Sequence, residues 1–170
     1  MGPTDRAFWI LIHGSVLGTL ILLGFAGGLA SLLSLRPNKP SAAGVRGRVR
    51  VLKVAAVTMA VAAWGTVVTG TWIVYPWYRE GIPQSPRSIL LASPATEQLH
   101  RFGMEWKEHV AWISPILATV VAFIVIYYGA GLIRHGRVRR TAVLLFSLAF
   151  LFAVVAGTLG TLIAQEAPVL

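Results

Sequence analysis

The sequence predicts an all-α integral membrane protein, a bundle of four transmembrane helices in a chain of 170 residues. Three observations carry that expectation. The chain is 56% apolar and 12% charged, with a mean hydropathy of +0.72, whereas soluble domains run near 45–50% apolar and about 25% charged. A domain of this size leaves roughly 30% of its unfolded surface exposed, so this much apolar surface has to face lipid. Four apolar runs, at 8–35, 51–75, 109–133 and 141–164, each reach the roughly 20 residues that cross a hydrocarbon core. The charges then divide between alternate connections. Disorder, a soluble enzyme fold and a secreted disulfide scaffold are excluded at this step.

The first run follows Asp5 and Arg6. It lacks a basic leader and is too long for a cleaved signal, so it reads as a retained helix. The first connection carries six basic residues (Arg36, Lys39, Arg46, Arg48, Arg50, Lys53) and no acid. The third carries Arg134, Arg137, Arg139 and Arg140, again with no acid. The rest of the chain holds five basic residues and all six acids, so the two sides carry +10 and −1. The positive-inside rule therefore puts the basic connections in the cytoplasm and both termini outside. The net charge of +9 is a topology signal and not a nucleic-acid footprint; no nucleic-acid partner is expected.

The outer connection, 76–108, is the one long loop. Four prolines punctuate its first half, and Ser93-Pro94 reads as an N-cap with proline at the first helical position. A short surface helix is expected from there to about Arg101, broken at Gly103. Trp72, Tyr75, Trp77, Tyr78 and Trp106 lie at this level, as an interfacial aromatic belt or as the walls of a quinone pocket. Two hairpins also look alike. Gly47-Arg48-Val49-Arg50 opens helix two and Gly136-Arg137-Val138-Arg139 opens helix four, and both helices end in a Gly-Thr segment (Gly70-Thr71, Gly160-Thr161). Each first helix of a pair carries a histidine near its outer start, His13 or His109. The arrangement predicts two parallel repeats related by an axis along the membrane normal.

With no cysteine there is no disulfide, thiolate metal site, iron–sulfur cluster or Cys-x-x-Cys-His attachment, so any haem is held non-covalently. His13 and His109 are the candidate axial ligands of one b-type haem, because both lie about 8 Å below the outer interface and ionisable residues within a span are functional candidates. Gly14 and Gly18 would make room for the ring beside His13, and Pro115 should bend helix three below His109. Arg79, Arg101 and Lys107 would meet the propionates. His100 and His135 read as solvated loop residues. Glu105, Glu108, His109 and Trp112 share about a 100° arc of helix three. This group reads as an alternative metal site with His13 or Glu166, as support that orients His109, or as a charged helix start. No dinucleotide, P-loop, zincin or nucleophile-elbow motif occurs, so catalysis by this chain alone is not expected.

At His13, Gly70-Thr71-Trp72, His109 and Gly157-Thr158-Leu159-Gly160 the chain resembles small four-helix membrane proteins of the bacterial cytochrome b type. Di-haem members use two histidine pairs at two depths; this chain has no second pair in its inner leaflet, which leaves one haem. The resemblance implies electron transfer as a subunit of a larger respiratory or photosynthetic complex in the bacterial cytoplasmic (inner) membrane, with a quinol or an external cytochrome as partner. Two other classes stand beside it: a cofactor-free structural or assembly subunit of a membrane complex, and a small metal-binding protein or transporter using Glu105, Glu108 and His109.

Overall fold

A computed structural model describes residues 3–35 and 42–168, with side chains for 5–35 and 43–168. Arg36 and Lys39, two of the cations that set the expected topology, lie outside the described residues. The described residues are almost all helical, with no strand among them. Four helices are long and apolar enough to cross a membrane: α1 (Asp5–Ser34), α2 (Ala43–Tyr78), α4 (Leu99–Ile133) and α5 (Gly136–Glu166). A short α3 (Pro86–Leu91) lies in the connection between α2 and α4.

The helices outrun the apolar stretches that announce them. Thirty residues of α1 span about 45 Å at 1.5 Å per residue, beyond a hydrocarbon core of about 30 Å. The largest extension is in α4, which begins ten residues ahead of the apolar run, at Leu99. Hydropathy marks the part of a helix that lipid can cover, whereas Leu, Met, Glu, Lys and Gln continue the helix into polar surroundings. The Ser-Pro cap falls elsewhere from where the sequence suggests. Ser85 accepts a hydrogen bond from the Ser88 amide at 3.3 Å and Pro86 opens α3. Ser93-Pro94 begins a run of turns that leads into α4, and Gly103 lies within a continuous helix.

Each long helix packs on the next and α5 closes back on α1, so the order around the bundle is α1, α2, α4, α5, with α1 and α4 on a diagonal. Both chain ends share one end of the bundle with the 79–98 connection, tied by the Arg6–Glu80 ion pair and by the packing of Tyr78, Leu90, Met104, Ile163 and Ala167. All six acids belong to this acid-bearing end; the opposite, basic end carries none.

The main apolar core fills the basic half, around Leu32, Leu52, Met59, Val121, Val125 and Phe146. Two glycines let α1 approach closely there. A Cβ on Gly24 would stand 2.9 Å from the Ala55 carbonyl oxygen, and one on Gly28 2.5 Å from the Phe146 ring. Small residues at such crossings permit the close van der Waals packing that replaces a hydrophobic drive between helices in lipid. Phe25 stacks on Phe150 at 4.0 Å beside them. Several hydroxyls are satisfied within their own helices, as the bilayer requires: Ser31 donates to the Gly27 carbonyl, Thr66 to Ala62 and Thr161 to Gly157. Outward faces are apolar, with Leu23, Val61, Phe123 and Leu151 all exposed.

Candidate functional site

The regular helix gives way at the acid-bearing end. Three π-helical segments lie there: Leu11–Val16 in α1, Gly70–Val74 in α2 and Leu99–Met104 in α4. A π insertion adds a residue to the turn and shifts the phase of everything beyond it, and such insertions recur at functional sites. In α4 the helix also loosens at Ala111–Trp112. Pro115 is the cause, since it supplies no N–H to the Ala111 carbonyl.

His13 lies on the first π segment. Its ring rests against α2: Nδ1 is 3.0 Å from Thr69 Oγ1, and a Cβ on Gly70 would be 2.8 Å from its Cε1. The ring thus occupies the place a larger residue at 70 would need. The tautomer follows from the neighbours. Thr69 Oγ1 donates its own proton to the Gly65 carbonyl at 2.7 Å, so it accepts from His13 Nδ1–H, and the Nε2 lone pair is free.

His109 is exposed. Its Nδ1 is 2.6 Å from the Glu105 carbonyl oxygen, one turn back in the same helix. A carbonyl only accepts, so Nδ1 carries the proton here too. Both rings therefore have the donor chemistry of a metal-bound imidazole, one nitrogen anchored on an oxygen and the other free. Their directions differ. Lys107 of α4 enters the bundle, and its Cε would be 3.1 Å from a Cβ on Gly160 of α5. His109 follows Lys107 by two residues, about 200° around the helix, and so points outward. No hydrogen bond or ring contact joins the two histidines among the described residues. As folded, the pair does not form a two-sided clamp for one haem.

Of the other residues expected around the haem, Arg79 and Arg101 are engaged elsewhere and the two glycines are unobstructed. Gly14 and Gly18 border open space, with no atom within 4 Å of an added Cβ. Arg79 pairs with Glu105 at 3.0 Å, its guanidinium 4.9 Å from the centre of the Tyr75 ring. Arg101 pairs with Glu97, one turn away. Glu105 and Glu108 diverge, the first toward Arg79 and the second toward Tyr75, whose hydroxyl donates to Glu108 Oε2 at 3.1 Å. No group of three or more His, Asp or Glu residues able to hold a metal ion occurs among the described residues.

Two contacts of polar side chains stand out at the acid-bearing end: Tyr75 on Glu108, and Lys107 against Gly160 on the same helical turn as Glu108. Glu108 Oε1 is buried and has no hydrogen-bond partner among the described residues, and neither has Ser114 Oγ on the same helix. Trp112, one turn beyond Glu108, meets Trp64 and Trp72 of α2 edge-on, with ring centres 6.1 and 6.4 Å apart. Sequence reasoning singled out His13, Lys107 and Glu108 for other roles and gave Tyr75 to an aromatic belt or the wall of a quinone pocket. It read His100 as a solvated loop residue, which the structure corrects. His100 is buried, donates from Nδ1 to the Tyr78 hydroxyl at 2.7 Å, and accepts from Arg87 at 3.4 Å. It pins the 79–98 connection onto the bundle.

No protein-family model, curated protein or solved structure matches this chain. Fold and composition define its class as a four-helix protein of the multi-pass membrane type.

Proposed function

We propose that the chain is an electron-transfer subunit of a larger membrane complex, and that it receives a quinol headgroup beside Glu108, Tyr75, Lys107 and His13. The observation that carries this reading is the buried carboxylate oxygen of Glu108, which has no hydrogen-bond partner. A buried acceptor left unpaired costs about 1–3 kcal/mol, and a ligand hydroxyl donating to it removes that cost. Oxidation of a quinol releases two protons and two electrons. Glu108 and the free Nε2 of His13 accept the protons, Lys107 donates to a quinone oxygen that forms, Tyr75 holds the Glu108 carboxylate through its hydroxyl, and the electrons leave singly to a one-electron carrier on an adjoining subunit. The basic end faces the cytoplasm of a bacterial inner membrane and the quinol site its outer leaflet. The gathering of ten of the fifteen basic residues in the two connections of the basic end supports this orientation.

Quenching of tryptophan fluorescence by a short-chain quinone tests the reading, since Trp64, Trp72 and Trp112 cluster beside Glu108. Titration of the purified protein in detergent should saturate. Glu108→Gln should raise the half-saturating concentration about tenfold, equivalent to about 1.4 kcal/mol. Unsaturable quenching, equal in both proteins, reflects partition into detergent and overturns the reading in favour of a cofactor-free structural subunit. Orientation is tested with an impermeant thiol reagent on intact cells: a cysteine at the exposed Gln84 should label and one at Ala43 should not.

A further inference from the structure

The basic end holds a groove between α2 and α4, lined by Arg46, Val49, Arg50, Lys53, Val54 and Ala130. We infer that this groove is a binding site for an anionic phospholipid, with the phosphate of the headgroup against Arg46, Arg50 and Lys53 and an acyl chain along the helices below.

The cations of this end fall into two groups. Arg48 donates to the Ser34 carbonyl at 3.0 Å, and Arg139 donates to the carbonyls of Leu35 and Leu132. These two close the C-terminal end of α1, where carbonyls lack intrahelical donors. They are occupied by the fold. Arg46, Arg50 and Lys53 have no hydrogen bond or ion pair among the described residues. The ion pairs found there, Arg6–Glu80, Arg79–Glu105 and Arg101–Glu97, all belong to the opposite end. No acid exists near the three cations to neutralise them.

Spacing and backbone gather them at one point. Residues 46, 50 and 53 are separated by four and three positions and so share a face of α2. Lys53 reaches across to α4, where its Nζ is 4.0 Å from the place a Cβ would take on Gly129. Gly129 has φ of +48°, the one positive value among the described residues, and ends the α-helical part of α4. A side chain there would be strained and would crowd the ammonium.

The apolar half of the site continues the same faces. Val54, Val57 and Val61 run down α2 at intervals of three and four; Ala130, Ile126 and Phe123 run down α4 likewise. Val54, Val61, Ile126 and Phe123 are each more than half exposed. Three unpaired cations at the head of an exposed apolar furrow match a phosphate joined to an acyl chain. A free anion would satisfy only the first part. Clustered basic residues at the cytoplasmic level of membrane helices attract anionic lipid headgroups through the same electrostatics. A second groove, lined by Leu32, Leu33, Arg139, Arg140 and Val143, is weaker because Arg139 is already committed to carbonyls.

Native mass spectrometry of the purified chain, delipidated and then titrated with phosphatidylglycerol or phosphatidylcholine, tests the inference. Wild type should take up phosphatidylglycerol at least tenfold more readily. R46Q/R50Q/K53Q should lose that preference, while R134Q/R137Q/R140Q, with the same change in charge at the same end, should keep it. Ala130→Trp fills the exposed groove without altering charge and should also weaken uptake, which separates a site from a diffuse field. Equal losses in the two triple variants, or no preference in wild type, overturn the inference. Displacement of the lipid by millimolar inorganic phosphate would show a free-anion site and overturn it as well.

Discussion

The basic half of the bundle is regular α-helix around an apolar core, with α1 laid against α2 and Phe146 through Gly24 and Gly28. The acid-bearing half is built from π segments, a loosened turn at Ala111–Trp112, ion pairs and partly unpaired polar groups. The two halves use glycine differently. Gly24 and Gly28 bring backbone and aromatic ring together, whereas Gly70 and Gly160 receive polar side chains, His13 and Lys107. A glycine in a membrane helix therefore does not by itself signal direct helix packing. What faces it decides.

The comparison can be broken at several points. The largest effect is expected at Gly28, where a Cβ would enter the Phe146 ring. Gly28→Leu should lower stability by about 3 kcal/mol, at the upper part of the range for overpacking, read as a fall in the thermal midpoint in detergent. Gly14→Leu makes the same chemical change where no atom lies within 4 Å and should be near neutral; an equal loss would erase the contrast between the halves.

His100→Ala leaves the Tyr78 hydroxyl and Arg87 without their partner and should cost about 1–3 kcal/mol, with protease sensitivity rising in the 79–98 connection. His135→Ala, in an exposed turn, should change neither quantity.

Gly70→Ala displaces the His13 ring and with it the bond to Thr69, a loss of about 1 kcal/mol. In a His13→Ala background the same substitution should cost almost nothing, so the two changes are non-additive. Additive costs would show that the ring does not occupy the space beside Gly70.

The smallest expected effect is a spectroscopic one. With His13 and His109 facing different ways, purified protein should show no sharp α and Soret bands on reduction. Bands present in wild type and absent from both His13→Ala and His109→Ala would mean that the rings meet on a haem, and that His109 does not face away from the bundle.

Much of the architecture was legible in residue order. Apolar runs of transmembrane length are local properties, so 8–35, 51–75, 109–133 and 141–164 mark the cores of α1, α2, α4 and α5 without reference to packing. The segregation of acids from the Arg46–Lys53 and Arg134–Arg140 stretches is equally local. The disruptive effect of Pro115 on the turn before it also follows from covalent structure alone. Helix ends were less legible, because residues 99–108 are polar enough to read as loop yet good enough helix formers to extend α4.

Depth, too, could be read from the sequence: His13 and His109 are both near the acid-bearing end. Facing could not. The direction of a side chain depends on helical phase, and each π segment advances that phase by one residue, about 100°. Composition carries no trace of such insertions. Only the tertiary structure decides that Lys107, and not His109, enters the bundle beside Gly160, as His13 rests beside Gly70. Only it decides that Glu108 turns inward to Tyr75 while Glu105 turns out to Arg79. Length, hydropathy and charge determine that four helices form and which ends they share; the packing of one helix on another determines which side chains meet, because contact depends on rotation about each axis as well as on position along it.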